Sequence, residues 1–327
     1  MWQYYKAAIN SDTSSNGGAM SNKSTSPFLF EDVFPGYSEE ERQTGATRSR
    51  KLFYKFVNDT EGTKGRNTAS FVKQPSSGED YLYVAVGSLT DTQGDIGSYS
   101  FLGSGFLSGS ITGNVSTCLV VTGARSDMFA TTGTILVGTI AAGGDAISPF
   151  ERLTLSAANY AGGTWTLSIS GDGNENGGGT VLHSYAGGAL VSSLVSHGDV
   201  YAYVDNYSTN SVGGSFNDDA EARNIGTIDD SWTLEFLDAN QVSAYGSSAG
   251  TLGTYYISAD IAPENPLNGS YYFYINANSF SGTFAGGDTV TFDTNSATCA
   301  VWIKGVCLSG AAGNGSVVAF VGPVYES

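Results

Sequence analysis

Apolar and polar residues alternate with a period of two along much of the chain, most clearly near its C-terminal end. Phe and Gly alternate with Ser and Thr over residues 280–284, and Val and Phe alternate with Thr over residues 289–292. The turn residues Gly286-Gly287-Asp288 lie between the two runs. Alternation on both sides of a Gly/Asp turn predicts a hairpin that buries one face.

Two other predicted strands carry apolar residues on both faces. Over residues 301–304, Val301 and Ile303 face one side and Trp302 and Lys304 the other. Over residues 51–57, the aromatic or aliphatic face is Leu52, Tyr54 and Phe56, and the mixed face is Lys51, Phe53 and Lys55. Before the predicted strand at 51–57, Ser38 is followed three residues later by Glu41. This spacing predicts one capped helical turn.

Further strands are predicted from the same alternation, and the middle of the chain shows it most regularly. Trp165, Leu167 and Ile169 are expected to face inward, with Thr or Ser between them. The other predicted strands are residues 81–86, 111–122, 134–140, 151–155, 180–185, 232–236, 254–258, 271–275 and 317–321.

This spacing of short strands and turns predicts an all-β protein with two to three β-sandwich or small-barrel domains joined by short loops. The pattern changes near residues 143–145, and residues 213–224 form a polar stretch. The predicted segments are an extended N-terminal arm and linker (1–25), an N-terminal β domain (26–145), a middle β domain (146–224) and a C-terminal β domain (225–327).

The predicted arm begins with three aromatic residues, Trp2, Tyr4 and Tyr5, followed by a polar stretch from 11 to 25. A flexible linker of that length spans roughly 20 Å, enough to reach a neighbouring subunit. We therefore expect these three aromatics to contact an adjacent copy or another protein of the same assembly. The alternatives are an arm folded back on its own domain and a disordered terminus.

The charge is −17 and is unevenly distributed. Residues 1–73 carry a balance of +2 and residues 74–327 a balance of −19. An acidic body repels nucleic acid, whereas the N-terminal part can attract the acidic body of another copy, which favours a homo-oligomer. No apolar run suggests a signal peptide or a membrane helix, so no membrane partner is expected.

The three cysteines, Cys118, Cys299 and Cys307, lie in or beside apolar strand patterns. Their odd number argues against a disulfide framework, and buried free thiols are expected. A pairing of Cys299 with Cys307 across a hairpin is the alternative.

Candidate catalytic motifs are incomplete. Residues 246–250 match a nucleophile-elbow pattern around Ser248, but both histidines, His183 and His197, lie upstream and no helix is predicted to follow. Two of the 31 acidic residues could meet as a glycosidase pair, although nothing in the sequence favours it. We therefore expect no enzyme activity and no cofactor.

One metal-binding candidate remains. Asp172, Asn174 and Asn176 place oxygen ligands at alternate positions before Gly177, as in the first half of a calcium loop. The twelfth position is His183 rather than Glu. An empty polar hairpin tip is therefore the preferred interpretation.

Residues 26–57 and 279–311 resemble, in order, the two end blocks of a family of structural proteins from the virions of tailed bacteriophages, the Mu-like, contractile-tailed group. The first block has an apolar-acidic opening, an acidic turn and an Arg leading a strand; the second has Gly-Asp-Thr-Val-Thr-Phe, a Trp-bearing strand and Gly-Ala. The loop at residues 91–96 also resembles a family element. The family usually has Pro before the Trp strand, where this chain has Ala300.

The resemblance implies a non-enzymatic structural protein of a tailed-phage virion, assembled in the host cytoplasm. The expected position is the neck or collar at the head–tail joint, with partners among other virion proteins and copies of itself. The alternatives are a tail or baseplate protein, a capsid decoration protein, or a spike that binds carbohydrate, since 19 Tyr and 4 Trp suit stacking on a glycan.

Overall fold

A computed structural model describes residues 1–25, 33–58, 60, 63–73, 80–123, 125–140, 147–171, 181, 183–311 and 321–326. Across these residues the protein is almost entirely β-structure in several sheets, one of them a closed six-stranded barrel. The predicted all-β, multi-domain class is confirmed. No helix within the described ranges is long and apolar enough to cross a membrane.

The elements are numbered along the chain, and α1 (Glu39–Thr44) precedes β3. The strands are β1 (Trp2–Ile9), β2 (Gly17–Thr25), β3 (Ala46–Phe56), β4 (Gly65–Val72), β5 (Asp80–Gly87), β6 (Ser104–Leu107), β7 (Thr117–Val121), β8 (Gly133–Ile140), β9 (Ile147–Ala161), β10 (Thr164–Gly171), β11 (Leu190–Ser193), β12 (Val195–Val200), β13 (Tyr203–Asn210), β14 (Gly214–Phe216), β15 (Asp230–Phe236), β16 (Gln241–Gly246), β17 (Gly250–Tyr256), β18 (Phe280–Gly282), β19 (Thr289–Asn295), β20 (Thr298–Cys307) and β21 (Val321–Glu326).

The first sheet joins the two ends of the chain. Its order is β2-β1-β3-β20-β5, and all its pairings are antiparallel. A three-stranded sheet, β12-β4-β21, lies beside it and shares its core. The barrel is closed in the order β10-β7-β6-β11-β8-β9, and a five-stranded sheet has the order β13-β19-β15-β16-β17.

These sheets group the chain differently from the predicted segments. The predicted boundary at 145/146 falls between β8 and β9, which pair within the barrel. The predicted C-terminal segment is divided, because β20 pairs with β3 and β5 whereas β15 to β17 and β19 belong to the five-stranded sheet. Sequence spacing marks where strands end, but it does not reveal that distant strands pair.

Residues 1–25 form a strand pair of the first sheet rather than an extended arm and linker. β1 pairs with β3 from Trp2↔Phe56 to Lys6↔Leu52, and β2 pairs with β1 at the edge of the sheet. Trp2 and Tyr4 contact Phe56 and Tyr54, at ring-centroid distances of 5.2 and 5.3 Å. The polar composition of 11–25 suits an edge strand as well as a linker, which is why the sequence pattern was ambiguous.

The predicted hairpin at residues 280–292 is also corrected. Its turn is present, with the Ala285 amide donating to the Asp288 carboxylate at 2.9 Å. However, β18 pairs with β14, and β19 pairs with β13 and β15. Phe284 stacks on Phe236 at 3.8 Å between centroids, so packing directs the two arms of the turn to different sheets.

Several local predictions are confirmed. Ser38 and Glu41 form a reciprocal capping box at the start of α1. Leu52, Tyr54 and Phe56 share a core with Val301 and Ile303. Trp165, Leu167 and Ile169 are buried inside the barrel. The three cysteines, Cys118, Cys299 and Cys307, are free and buried.

Other predicted strands are shorter than expected or lie partly outside the described residues. Residues 271–275 form isolated bridges instead of a strand, and the predicted strand at 111–122 is reduced to β7 plus a bridge at Ile111. Of residues 317–321, only Val321 is described, as the first residue of β21.

The position of Trp2 predicts that it stabilises the isolated protein. Truncation of a buried Trp typically costs about 3–5 kcal/mol, and Trp2 is half-buried against Phe56 within the sheet. We expect Trp2→Ala to lower the free energy of unfolding by about 2–4 kcal/mol in urea denaturation. The loss should be the same at every protein concentration. A loss that grows with concentration would show that residue 2 packs on a neighbouring copy.

Candidate functional site

The most unusual feature of the first sheet is a polar cluster of three buried residues, Lys51, Asp91 and Trp302, with the half-buried Tyr99, here called the Lys51–Asp91 cluster. Lys51 Nζ lies 2.5 Å from Asp91 Oδ1, and the side chains are 0% and 5% exposed. Trp302 Nε1 donates to Asp91 Oδ2 at 2.9 Å, and the Tyr99 hydroxyl donates to the same oxygen at 2.6 Å. A lysine and a carboxylate are thus held together in the interior of the protein.

The backbone around the cluster is also tied to it. Lys51 Nζ donates to the carbonyl oxygens of Gly18 and Asp91 at 2.7 and 2.9 Å. The Gly18 amide donates to the Asp91 carbonyl at 2.8 Å. Asn16 Nδ2 donates to Ser49 O and to Gln93 Oε1, at 2.8 and 2.9 Å. The β1–β2 turn, the strand β3 and the loop at 88–95 therefore share one hydrogen-bond network.

Trp302 requires small neighbours on both sides. A Cβ atom added at Gly17 would lie 2.7 Å from the Trp302 ring, and one at Gly87 would lie 3.0 Å from it. Gly17 also has φ +105, a conformation that side chains disfavour. The glycines at the start of β2 and the end of β5 thus allow the indole ring to reach Asp91.

The electrostatics of the cluster follow from burial and hydrogen bonding. Burial lowers the pKa of Lys51, against the opposing effect of Asp91. Burial alone would raise the pKa of Asp91, but the close contact with Lys51 and the hydrogen bonds from Tyr99 and Trp302 outweigh it and lower that pKa. The bond to Asp91 raises the pKa of Tyr99 to about 12. Lys51 and Asp91 are almost fully buried, so the cluster links β3 to the loop at 88–95 inside the protein.

Sequence reasoning missed this cluster, although one signal was present. Lys51 and Lys55 alternate with aromatic residues in a strand that was predicted to be apolar on one face and mixed on the other. A lysine in such a strand needs a partner if both faces are covered. Lys55 is also buried, and its Nζ donates to the carbonyl of Ile225 at 2.7 Å. The partner Asp91 lies 40 residues away, so only the fold identifies it.

At least four of the ten basic residues in 1–73 are engaged within the chain. Arg48 pairs with Glu41 at 2.6 Å, and Arg50 with Asp12 at 2.7 Å. Together with the two buried lysines, these contacts leave less positive charge available for an acidic neighbour than the sequence suggested. The charge-based argument for contacts between copies is weakened accordingly.

The metal-binding and nucleophile candidates predicted from the sequence do not form a site among the described residues. Asp172, Asn174 and Asn176 lie outside the described residues. Ser248 lies in a turn. Its own backbone amide donates to Asp230 Oδ1 at 2.9 Å, and the Ala249 amide donates to Asp230 Oδ2 at the same distance. The Asp230 carboxylate therefore organises the Gly/Ser turn. The residues described contain no group of three or more His, Cys, Asp or Glu side chains arranged to hold a metal ion.

The two histidines are not near Ser248 in sequence or in their contacts. The His183 amide lies 3.3 Å from Glu151 Oε2, beside the barrel. His197 Nε2 lies 2.8 Å from Ser70 Oγ, between β12 and β4.

Trp2 and Tyr4 pack in the first core, and Tyr5 packs beside Phe53 on the opposite face of the sheet.

Exposed tyrosines are concentrated in the C-terminal half of the chain. Tyr245 and Tyr256 are 49% and 58% exposed, and they lie on the neighbouring strands β16 and β17. Tyr203 and Tyr271 are 42% and 43% exposed. Most other large aromatic side chains of the described residues lie in the cores, including Trp232, Trp302, Tyr54 and Tyr83. The exposed rings offer contact area to a partner.

No protein-family model matches the sequence, and no curated protein matches it. The phage-virion resemblance at residues 26–57 and 279–311 therefore rests on the residues quoted for it.

The hydrogen bond from Trp302 predicts a specific stability difference. Trp302→Phe removes a donor to a buried carboxylate, and bonds to charged groups contribute about 1.5–3 kcal/mol. Trp165→Phe is the matched control, because Trp165 Nε1 donates to a neutral carbonyl, that of Arg125. We expect the Trp302 variant to lose about 1 kcal/mol more in chemical denaturation. Equal losses would show that the acceptor at residue 91 is uncharged.

The half-buried His197 predicts a pH dependence. Burial lowers its pKa from 6.5 to about 4. The unfolded chain therefore binds a proton more readily between those values, so the contribution to stability is complete above pH 6.5 and is lost as the pH falls towards 4. Between pH 7.5 and 5, the wild type should lose about 1–2 kcal/mol more than His197→Gln in urea denaturation. Parallel pH profiles would show that His197 is protonated as readily in the folded state.

Proposed function

We propose that this chain is a non-enzymatic structural protein of a tailed-phage virion, located at the neck or collar of the head–tail joint. The observation that carries the proposal is the meeting of the two segments that resemble the virion family. β3 belongs to the first segment and β20 to the second, and they pair continuously from Thr298↔Lys55 to Cys307↔Ala46. The resembling ends thus form one structural unit despite their distance in sequence.

The loop at residues 91–96, which also resembles a family element, meets the same unit. Asp91 bonds to Trp302 of β20 and pairs with Lys51 of β3. Three separate stretches singled out by the resemblance are therefore in contact. If the feature shared with the family is this folding unit, all three stretches are expected to resemble the family at once.

A structural role also fits the polar groups that are most deeply buried. The Lys51–Asp91 cluster and the Asp230 turn both connect backbone segments, and neither opens a carboxylate to a substrate. The exposed tyrosines on β16 and β17 provide a surface for other virion proteins or for further copies of this chain. Tyr is suited to such contacts because its ring is apolar and its hydroxyl is polar.

The experiment is to purify the particles of the phage that encodes the chain and separate intact virions, heads and tails. Quantitative mass spectrometry should find the chain in intact virions at a fixed copy number. A gold label on the chain should appear at the head–tail joint in electron micrographs.

The fractions distinguish the alternatives. A chain found in free heads would be a capsid decoration protein, and one found at the distal end of free tails would be a baseplate protein; either result overturns the neck position. Absence from purified virions would overturn the structural proposal itself. Major head and tail proteins in the same preparation provide the internal controls for recovery.

A further inference from the structure

The contact between Lys51 and Asp91 has the arrangement of a reaction site. Nζ lies 2.5 Å from Asp91 Oδ1, yet Oδ1 has no aligned hydrogen-bond donor among the described residues. The Nζ hydrogen bonds are directed to the carbonyl oxygens of Gly18 and Asp91, at 2.7 and 2.9 Å. The amine is therefore held by the backbone beside the carboxyl group.

The other carboxyl oxygen is surrounded by donors. Asp91 Oδ2 accepts from Trp302 Nε1 at 2.9 Å, from the Tyr99 hydroxyl at 2.6 Å and from the Ser88 amide at 3.2 Å. Donors fixed before a reaction stabilise negative charge that develops on a carbonyl oxygen during nucleophilic attack. The same donors would satisfy an amide oxygen in the product.

The surroundings shield the two reacting groups from water, and burial lowers the pKa of Lys51 towards its uncharged amine. Lys51 Nζ lies over the rings of Phe53 and Trp302, 4.8 and 5.9 Å from their centroids, and the Lys51 side chain is 0% exposed. Desolvation disfavours a separated ammonium and carboxylate. Holding the two groups in contact removes most of the entropic barrier of a bimolecular reaction.

We propose that Lys51 and Asp91 join spontaneously in the folded protein, through an isopeptide bond between Lys51 Nζ and Asp91 Cγ. One ammonium proton first moves to Oδ1, which leaves a neutral amine beside a neutral carboxylic acid. The nitrogen lone pair then attacks Cγ, and the charge that develops on Oδ2 is stabilised by Trp302, Tyr99 and Ser88.

The intermediate collapses by breaking the bond between Cγ and Oδ1. A second proton moves from nitrogen to Oδ1, which leaves as water, and the third proton remains as the amide N–H. The step needs no oxidant, reductant or other co-reactant. It is independent of the proposed function, because it depends on the cluster alone.

The bond would tie β3 covalently to the loop at 88–95 beside β5. The loop closed between residues 51 and 91 includes β4 and β5 and the segments between them. Such a crosslink restricts the unfolded chain in the manner of a disulfide, but reducing agents do not break it. It would hold the first sheet together under mechanical or thermal stress.

The test is the intact mass of the full chain after folding, measured under denaturing conditions. We expect the mass to be lower than that of the sequence by one water molecule. Trypsin should then release a branched peptide in which residues 51–55 are attached to residues 74–125, because cleavage after a modified Lys51 is blocked. Fragmentation of that peptide should place the link on Lys51 and Asp91.

Two variants make the assignment specific. Lys51→Arg keeps the positive charge but has no primary amine, so it should show the full mass. Lys55→Arg changes another buried lysine of β3, whose Nζ bonds to Ile225 O, and it should retain the deficit. The wild-type digest decides the question even if Lys51→Arg does not fold. A full wild-type mass with a free Lys51 peptide overturns the proposal, as does a deficit that persists in Lys51→Arg.

Discussion

The first sheet depends on the contacts that the Asp91 carboxylate makes with side chains of two of its strands. It receives hydrogen bonds from the indole of Trp302 and the hydroxyl of Tyr99, and it lies against the amine of Lys51. Trp302 and Lys51 are directly paired across β20 and β3. One loop residue therefore satisfies both members of a cross-strand pair that join the C-terminal and N-terminal parts of the chain.

This arrangement fixes the register of the sheet. A slip of one residue between β3 and β20 would move every side chain to the opposite face. Lys51 would then enter the apolar core that holds Leu52 and Val301, without a carboxylate. An uncompensated buried charge costs several kcal/mol. The ion pair adds little net stability by itself, but it strongly disfavours the wrong pairing.

Local features of the fold were predictable from the sequence because they depend on neighbouring residues. The capping box of Ser38 and Glu41 needs only a spacing of three, and the inward face of β10 needs only a period of two. Long-range pairings were not predictable in the same way. The turn at 285–288 resembles that of a hairpin, yet the Phe236–Phe284 stack accompanies strands that pair elsewhere.

The aromatic N-terminus shows the same limit. Trp2, Tyr4 and Tyr5 indicated that the terminus is bound, but the sequence could not specify what binds it. In the structure the adjacent strand is β3, whose aromatic residues form complementary contacts. Likewise, Lys51 indicated a need for a partner, but Asp91 is identified only by the loop that the fold brings to it. Residue types predicted that these side chains need a partner, and only the tertiary contacts identify which partner it is.

The central claim is that the two ends of the chain and the Asp91 loop form one cooperative unit. Hydrogen exchange followed by mass spectrometry tests it most directly, because amides in one cooperative unit exchange through the same opening. The account predicts a common protection for amides in the centres of β1, β3 and β20 and for the hydrogen-bonded Gly18 amide. Exchange of β1 orders of magnitude faster than that of β3 and β20 would contradict it.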